Sequence, residues 1–457
     1  MTLLGLAFNS LRFRRGSFAA TFINVFLGAV VLMSFASLFD TAGGVGVSSA
    51  DASSLTTIAA AVGGWGLVIV GFGVASTMNL SVRQRQAELA LLKATGAMPS
   101  QIGRIIVGEG AAISIMAALL GIVPAWLIGR VVLDALTSTD QIADDVSYRF
   151  GPLALIAGLS TTLLATAGAT TISARAAGRV TAREALSQAA TDGRSIGRGR
   201  IIAGGLLLVV GISCALTTAT VLKDEGFTTL SVAGQACIAS AIGLALLSPL
   251  VLRGLIRSVE LVTRPLTGAA GYLATTAIRQ RTGQATAITM PVIILTGLAA
   301  GTLYIQKIQN AANAADGITV SADDKGVETL NFIIVGMIAL FAAIVLINNC
   351  VASLLARRQE FGLTRKLGAT PGQILRAVAF ETMFAAASGL ALGTISAAIG
   401  IAGFQYGRTG SLRLDLDAVP YLAIVGTVVV LAITASLTAA RRSLAAPMID
   451  AAGVART

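Results

Sequence analysis

An all-α polytopic membrane protein, with ten transmembrane helices, is the fold class that this sequence predicts. Three observations predict it. The chain of 457 residues is 55% hydrophobic and only 12% charged, about half the charged share of a soluble protein, and its mean hydropathy is +0.82. Ten charge-free stretches each reach the roughly 20 residues that a helix needs to cross hydrocarbon. Positive charge collects in alternate connections between those stretches. A cytosolic globular enzyme is excluded on composition. The chain has no histidine, which removes histidine acid–base catalysis and most zinc, copper and non-haem iron sites. Cys214, Cys237 and Cys350 lie within apolar runs and make no disulfide framework. No catalytic or metal-ligating residue is assigned.

The apolar runs cover residues 16–39, 52–82, 110–129, 151–174, 201–222, 226–252, 282–306, 329–356, 382–407 and 418–440. The first follows Arg12, Arg14 and Arg15 and is long enough to span, so it reads as a retained helix and not as a cleaved signal. Pro124 and Pro291 fall inside the third and seventh runs, where a missing N–H favours a kink. Four connections, at about 40–51, 130–149, 307–328 and 408–417, are expected as short loops on one side of the membrane. The other side, with both termini, holds 26 of the 33 Lys/Arg and 8 of the 22 acids; the short-loop side holds 7 and 14. Basic residues mark the cytoplasmic side, so both termini are expected there. The net charge of +11 then reports topology and affinity for anionic lipid heads. Spread over six segments with no aromatic platform, it does not suit nucleic acid.

A repeat carries the functional signal. Residues 85–109 and 357–381 align at a constant offset of 272, without a gap, with ten identities in 25 positions. Among them are Arg85/Arg357, Glu88/Glu360, Gly96/Gly368, Pro99/Pro371, Arg104/Arg376 and Glu109/Glu381; Lys93/Arg365 is conservative. Each copy reads as a short charged helix and a stop. Arg and Glu three apart share a helix face, Gly96 and Gly368 suit the position after a helix end, and Pro99 and Pro371 open the next helix. Such a helix is pushed as a unit, where a flexible loop would not transmit force. Arg104, Glu109, Arg376 and Glu381 stand at the membrane edge, where an ionisable group calls for a partner; the five-residue spacing within each pair points to a partner on another helix. Weaker matches flank the repeat, before the first and seventh runs and after the fourth and tenth. Two four-span units follow, 1–190 and 268–457, joined by a two-span segment at 191–267. An even span count gives both units one orientation, related by a pseudo-twofold axis along the membrane normal.

The helices that end in Lys93-Ala94-Thr95-Gly96-Ala97 and Arg365-Lys366-Leu367-Gly368-Ala369 resemble the signature of FtsX-like permeases, the membrane subunits of type VII ABC transporters. The ten-span count resembles the bacitracin-efflux type, here without a large extracellular domain. The resemblance implies that Arg85, Glu88, Lys93 and Gly96, with Arg357, Glu360, Arg365 and Gly368, belong to two coupling helices. It implies a separate cytoplasmic ATPase in two copies, which would hold ATP and Mg; this chain has no Gly-Lys dipeptide and so no Walker A loop. It also implies a bacterial plasma membrane. No cofactor in this chain, no nucleic acid and no large periplasmic partner are expected; membrane lipid is. The function to be expected is an ATP-driven permease that exports or extracts an amphipathic or hydrophobic substrate, such as an antimicrobial peptide, a lipid or a drug. The alternative is mechanotransmission, in which the same motion acts on an extracytoplasmic or sensor partner and nothing is transported. An ion-coupled transporter would want ionisable residues at mid-membrane, and the charge-free runs supply none.

Overall fold

The computed structural model describes residues 15–84, 95–96, 98–138, 142–178, 197–223, 227–280, 282–317, 322–412 and 417–444. Among these residues the secondary structure is helical, with no strand. The helices are α1 (Arg15–Ala42), α2 (Ser49–Gln84), α3 (Pro99–Thr137), α4 (Pro152–Gly178), α5 (Arg198–Thr220), α6 (Phe227–Gln280), α7 (Thr282–Ala315), α8 (Ala322–Ala356), α9 (Arg358–Lys366), α10 (Pro371–Thr409) and α11 (Ala418–Leu444). Each apolar run of the sequence falls on a different one of these, and α9 is the short charged exception. Among the described residues, seven helices are long and apolar enough to cross a membrane: α1, α3, α5, α6, α7, α10 and α11. Shorter apolar stretches lie in α4, at Pro152–Gly168, and in α8, at Ala339–Val351.

The chain divides into two compact units, one of Met1–Ala190 with Val320–Met337, the other of Thr191–Thr319 with Ile338–Thr457. In the first, α1 packs against α2, α3 and α4. Ala29, Val30 and Met33 of α1 meet Ala118 and Ala125 of α3 in its core. Lipid supplies no hydrophobic force between helices, so small residues and interhelical hydrogen bonds do that work. Ser34 Oγ donates to the Ala125 carbonyl at 3.1 Å, and Ser114 Oγ to Thr166 Oγ1 at 2.7 Å. At the far end of α1, Asp40 accepts from Leu153 N at 3.1 Å and Ala154 N at 2.8 Å. Those amides open α4, where the helix dipole favours an anion. The sequence reading leaves Asp40 as a loop acid, because its partners lie over a hundred residues away.

In the second unit α7 and α10 pack on one another, α6 lies against both, α5 against α6 and α10, and α11 against α10 and α7. Helix approach is close. A Cβ on Gly403 would meet the backbone of Ala215, and Ser240 and Ser396 join α6 to α10 through their hydroxyls at 2.9 Å. Helix takes up two of the segments between apolar runs. Residues 253–280 continue α6 as one helix of 54 residues. The 307–328 connection shrinks because α7 runs on to Ala315 and α8 starts at Ala322. The polar end of α7 is held helical by its own amides: Gln306 Nε2 reaches Asn310 Oδ1 at 2.9 Å and Gln309 Nε2 reaches Asn313 Oδ1 at 3.0 Å. Lys307–Asp417 at 2.9 Å and Arg408–Asp316 at 2.8 Å tie that end to its neighbours. Pro124 and Pro291 both lie inside their helices, which continue past them.

Candidate functional site

The sequence repeat reappears in the backbone. α3 and α10 each have 39 residues, and their first and last residues keep the offset of 272. Both open on proline after an extended residue, Met98 (φ −70°, ψ 147°) and Thr370 (φ −76°, ψ 151°). In both, a glutamine three residues on folds back to the backbone N–H before the helix. Gln101 Oε1 accepts from Met98 N at 2.9 Å, and Gln373 Oε1 from Thr370 N at 2.9 Å. Thr370 completes the reciprocal box by accepting from Gln373 N at 3.3 Å; Met98 has no side-chain oxygen with which to do so. Gly96 and Gly368 take φ of 94° and 96°, a left-handed conformation that glycine adopts without strain.

The site is built around the break between α8 and α9. α8 ends at Ala356, and Arg357 alone separates it from α9. α9 carries Glu360 in its first turn and Arg365 and Lys366 in its last, the arrangement that its dipole favours. It closes with the crossed pair Ala369 N to Thr364 O at 3.1 Å and Gly368 N to Arg365 O at 3.0 Å, made possible by the positive φ of Gly368. The Arg357 side chain is 7% exposed. It bridges two carboxylates: Nη1 meets Glu381 Oε2 of α10 at 2.6 Å, and Nε meets Glu360 Oε2 at 3.2 Å. Its guanidinium also lies over the Phe361 ring, 4.9 Å from the centroid. Glu381 thus pairs with Arg357, which stands between α8 and α9; Arg376 and Arg104 are exposed, and Glu109 is part-buried.

Two further ties fix α9. Phe361 is buried with Leu354 of α8, Ile374 and Val378 of α10, and Ala439 and Ala440 of α11. Arg365 Nη1 donates to the Leu444 carbonyl at 3.0 Å, at the end of α11. The helix is therefore fastened to α8, α10 and α11 at once. Its other face is open: Leu363 is 57% and Leu367 89% exposed. A cavity of about 30 Å³ lies behind Arg357, lined in part by Gln284, Ser353, Glu381, Thr382 and Ser436.

Of the residues singled out from the sequence, the structure brings together Arg357, Glu360 and Glu381, and places Arg365 and Gly368 at the end of the same helix. Arg85, Glu88 and Lys93 lie outside the described residues. The sequence reading assigns no site role to Phe361, Leu363 and Leu367. Their signal is the apolar content of the otherwise charged segment 358–367. No group of three or more His, Cys, Asp or Glu suited to a metal occurs among the described residues.

A relative named "ABC transporter permease YtrF", from Bacillus subtilis (strain 168), is 33% identical over 94 residues, 20% of this chain and 22% of that protein. The chain thus matches about a fifth of that relative's length. A model of the FtsX-like permease C-terminal domain matches twice, at residues 60–182 and 332–448. The two matches start 272 residues apart and together cover more than half of the chain, one over each copy of the repeat. The chain belongs to the FtsX-like permease family.

Proposed function

We propose that this chain is the permease subunit of an ATP-driven ABC transporter and that α9 is one of its two coupling helices. The observation that carries the reading is the way α9 is mounted. Arg357, Phe361 and Arg365 fasten it to α8, α10 and α11, while Leu363 and Leu367 stay exposed. A short amphipathic helix held on one face and bare on the other passes a push straight into the long helices behind it. The family match and the name of the relative support the same reading. By the sequence repeat, residues 85–94, with Arg85, Glu88 and Lys93, are the second coupling segment.

In this reading ten helices cross a bacterial plasma membrane as two pseudo-twofold-related four-span units and a connecting pair, α5 and α6, with both termini cytoplasmic. A separate ATPase, two copies per permease, holds ATP and Mg. Its closure drives the coupling helices, and the units tilt to expel or extract an amphipathic or hydrophobic substrate. Bulky side chains such as Leu119, Leu120, Val123 and Val131 on α3 are exposed and suit contact with lipid. The test is to purify the chain from its native membrane in mild detergent and count what accompanies it. An ATPase at about two copies per permease, lost on Glu88→Ala with Glu360→Ala, is the expected result. Recovery of the chain alone, under conditions that keep other membrane complexes whole, would sink the reading.

A further inference from the structure

A proline inside a helix has no N–H to offer the carbonyl four residues before it. For Pro291 of α7 that carbonyl belongs to Ala287. In hydrocarbon no water replaces the lost partner, so protein must supply one. Here Asn349 of α8 supplies it: its Nδ2 donates to the Ala287 carbonyl at 2.8 Å. Asn349 is 1% exposed, and its Oδ1 has no hydrogen-bond partner. The orientation is fixed by chemistry, because the flipped amide would set oxygen against oxygen. Ile288 and Val292 of α7 and Leu346 and Cys350 of α8 belong to one buried core cluster along the same stretch of the two helices. On the α10 side, Thr289 holds the same stretch, with its Oγ1 at 3.0 Å from the carbonyls of Ala285 and of Ala385.

We propose that Asn349 is a positioning residue that clips α8 to the proline break in α7. Asn349 stands eight residues before Arg357, about 12 Å along the helix. A displacement of α9 that moves the end of α8 therefore arrives at the one turn of α7 that lacks its own backbone bond. The hydrogen bond itself does not depend on the ABC reading; its use in relaying motion does.

The test is a double-mutant cycle on the full chain in mixed micelles, with Asn349→Leu, Pro291→Ala and the double variant. The unfolding equilibrium is read by denaturing-detergent titration, and exchange of the α7 amides around residues 288–294 by hydrogen–deuterium exchange. Asn349→Leu alone is expected to shift the equilibrium ~3- to 10-fold toward unfolding and to speed exchange around the proline. With Pro291→Ala, residue 291 has an N–H for the Ala287 carbonyl, and the effect of Asn349→Leu is expected to shrink below about 2-fold. An equal penalty in both backgrounds would make Asn349 a packing residue and overturn the proposal, as would no penalty in the native background. If Asn349→Leu does not fold, Asn349→Ser runs the same cycle with less disturbance. Loss of the cycle with the ATPase still bound defeats the clip and leaves the ABC reading standing; loss of ATPase binding with the cycle intact does the reverse.

Discussion

At the scale of single residues the site turns on Arg357. A guanidinium that is 7% exposed and bridges two carboxylates is hard to replace, because its planar fork matches both at once. Removing it takes from Glu381, 22% exposed, the guanidinium that meets its Oε2 at 2.6 Å. Arg357→Ala is expected to cost about 1–3 kcal/mol, below the full penalty of a buried pair because solvent reaches both acids. Glu360, 42% exposed, contributes less, and Glu360→Ala is expected to cost no more than about 1 kcal/mol. Detergent-unfolding curves of the two variants give the order; a reversal would move the weight of the cluster from Glu381 to Glu360. Asp417 offers a pH test at the other end of the same unit. The Lys307 ammonium and, after it, the Val419 N–H hold its carboxyl below the usual carboxylate range. A lowered acid contributes stability above the unfolded pKa of about 3.9 and loses it as pH falls through the folded value. The difference in thermal unfolding between the native chain and Asp417→Asn is therefore expected near neutral pH and should vanish on acidification. A difference that persists in acid would mean that the Lys307 link is not electrostatic.

At the scale of the element, α9 separates holding from docking. Phe361 is 3% exposed and sits where α8, α10 and α11 converge, so Phe361→Ala is expected to cost about 3–5 kcal/mol. Leu363 and Leu367 face outward, and Leu363→Ser with Leu367→Ser is expected to change stability by less than about 0.5 kcal/mol each. The double variant should nevertheless lose the ATPase on purification. If it keeps the ATPase, the exposed face of α9 is not the docking face. Much of this element was legible in the sequence because its punctuation is local: Gly368 and Pro371 fix where one helix stops and the next begins, and Gly96 and Pro99 repeat the signal. The Arg357–Glu360 contact was legible too, from its three-residue spacing. The Arg357–Glu381 pair spans 24 residues and two helices and has no periodicity to announce it. Its trace was the retention of both residues at one offset, since Arg85 and Glu109 repeat Arg357 and Glu381.

At the scale of the whole molecule, the apolar runs were legible because hydrocarbon demands long charge-free helices, whatever their neighbours. Helix ends beyond the apolar core were not. The Gln- and Asn-bearing end of α7 reads as polar loop, yet its amides bond one another along the helix. Asp40 falls in the expected loop 40–51, yet it receives the first amides of α4. Both depend on which groups meet in space. One crossing more or fewer between two chosen points puts them on the same side. Val45, in the connection between α1 and α2, is 91% exposed, and Leu367, after α9, is 89% exposed. Seven apolar runs lie between them if every run crosses, so the two points should face opposite sides. The check is a variant in which Cys214, Cys237 and Cys350 are replaced, carrying Val45→Cys or Leu367→Cys and produced without the ATPase. A membrane-impermeant maleimide applied to intact cells should label Val45→Cys alone, and applied to inverted vesicles should label Leu367→Cys alone. Labelling of both from one side would mean that one run between them does not cross. It would also break the pseudo-twofold relation, because two four-span units share an orientation only when an even number of spans joins them.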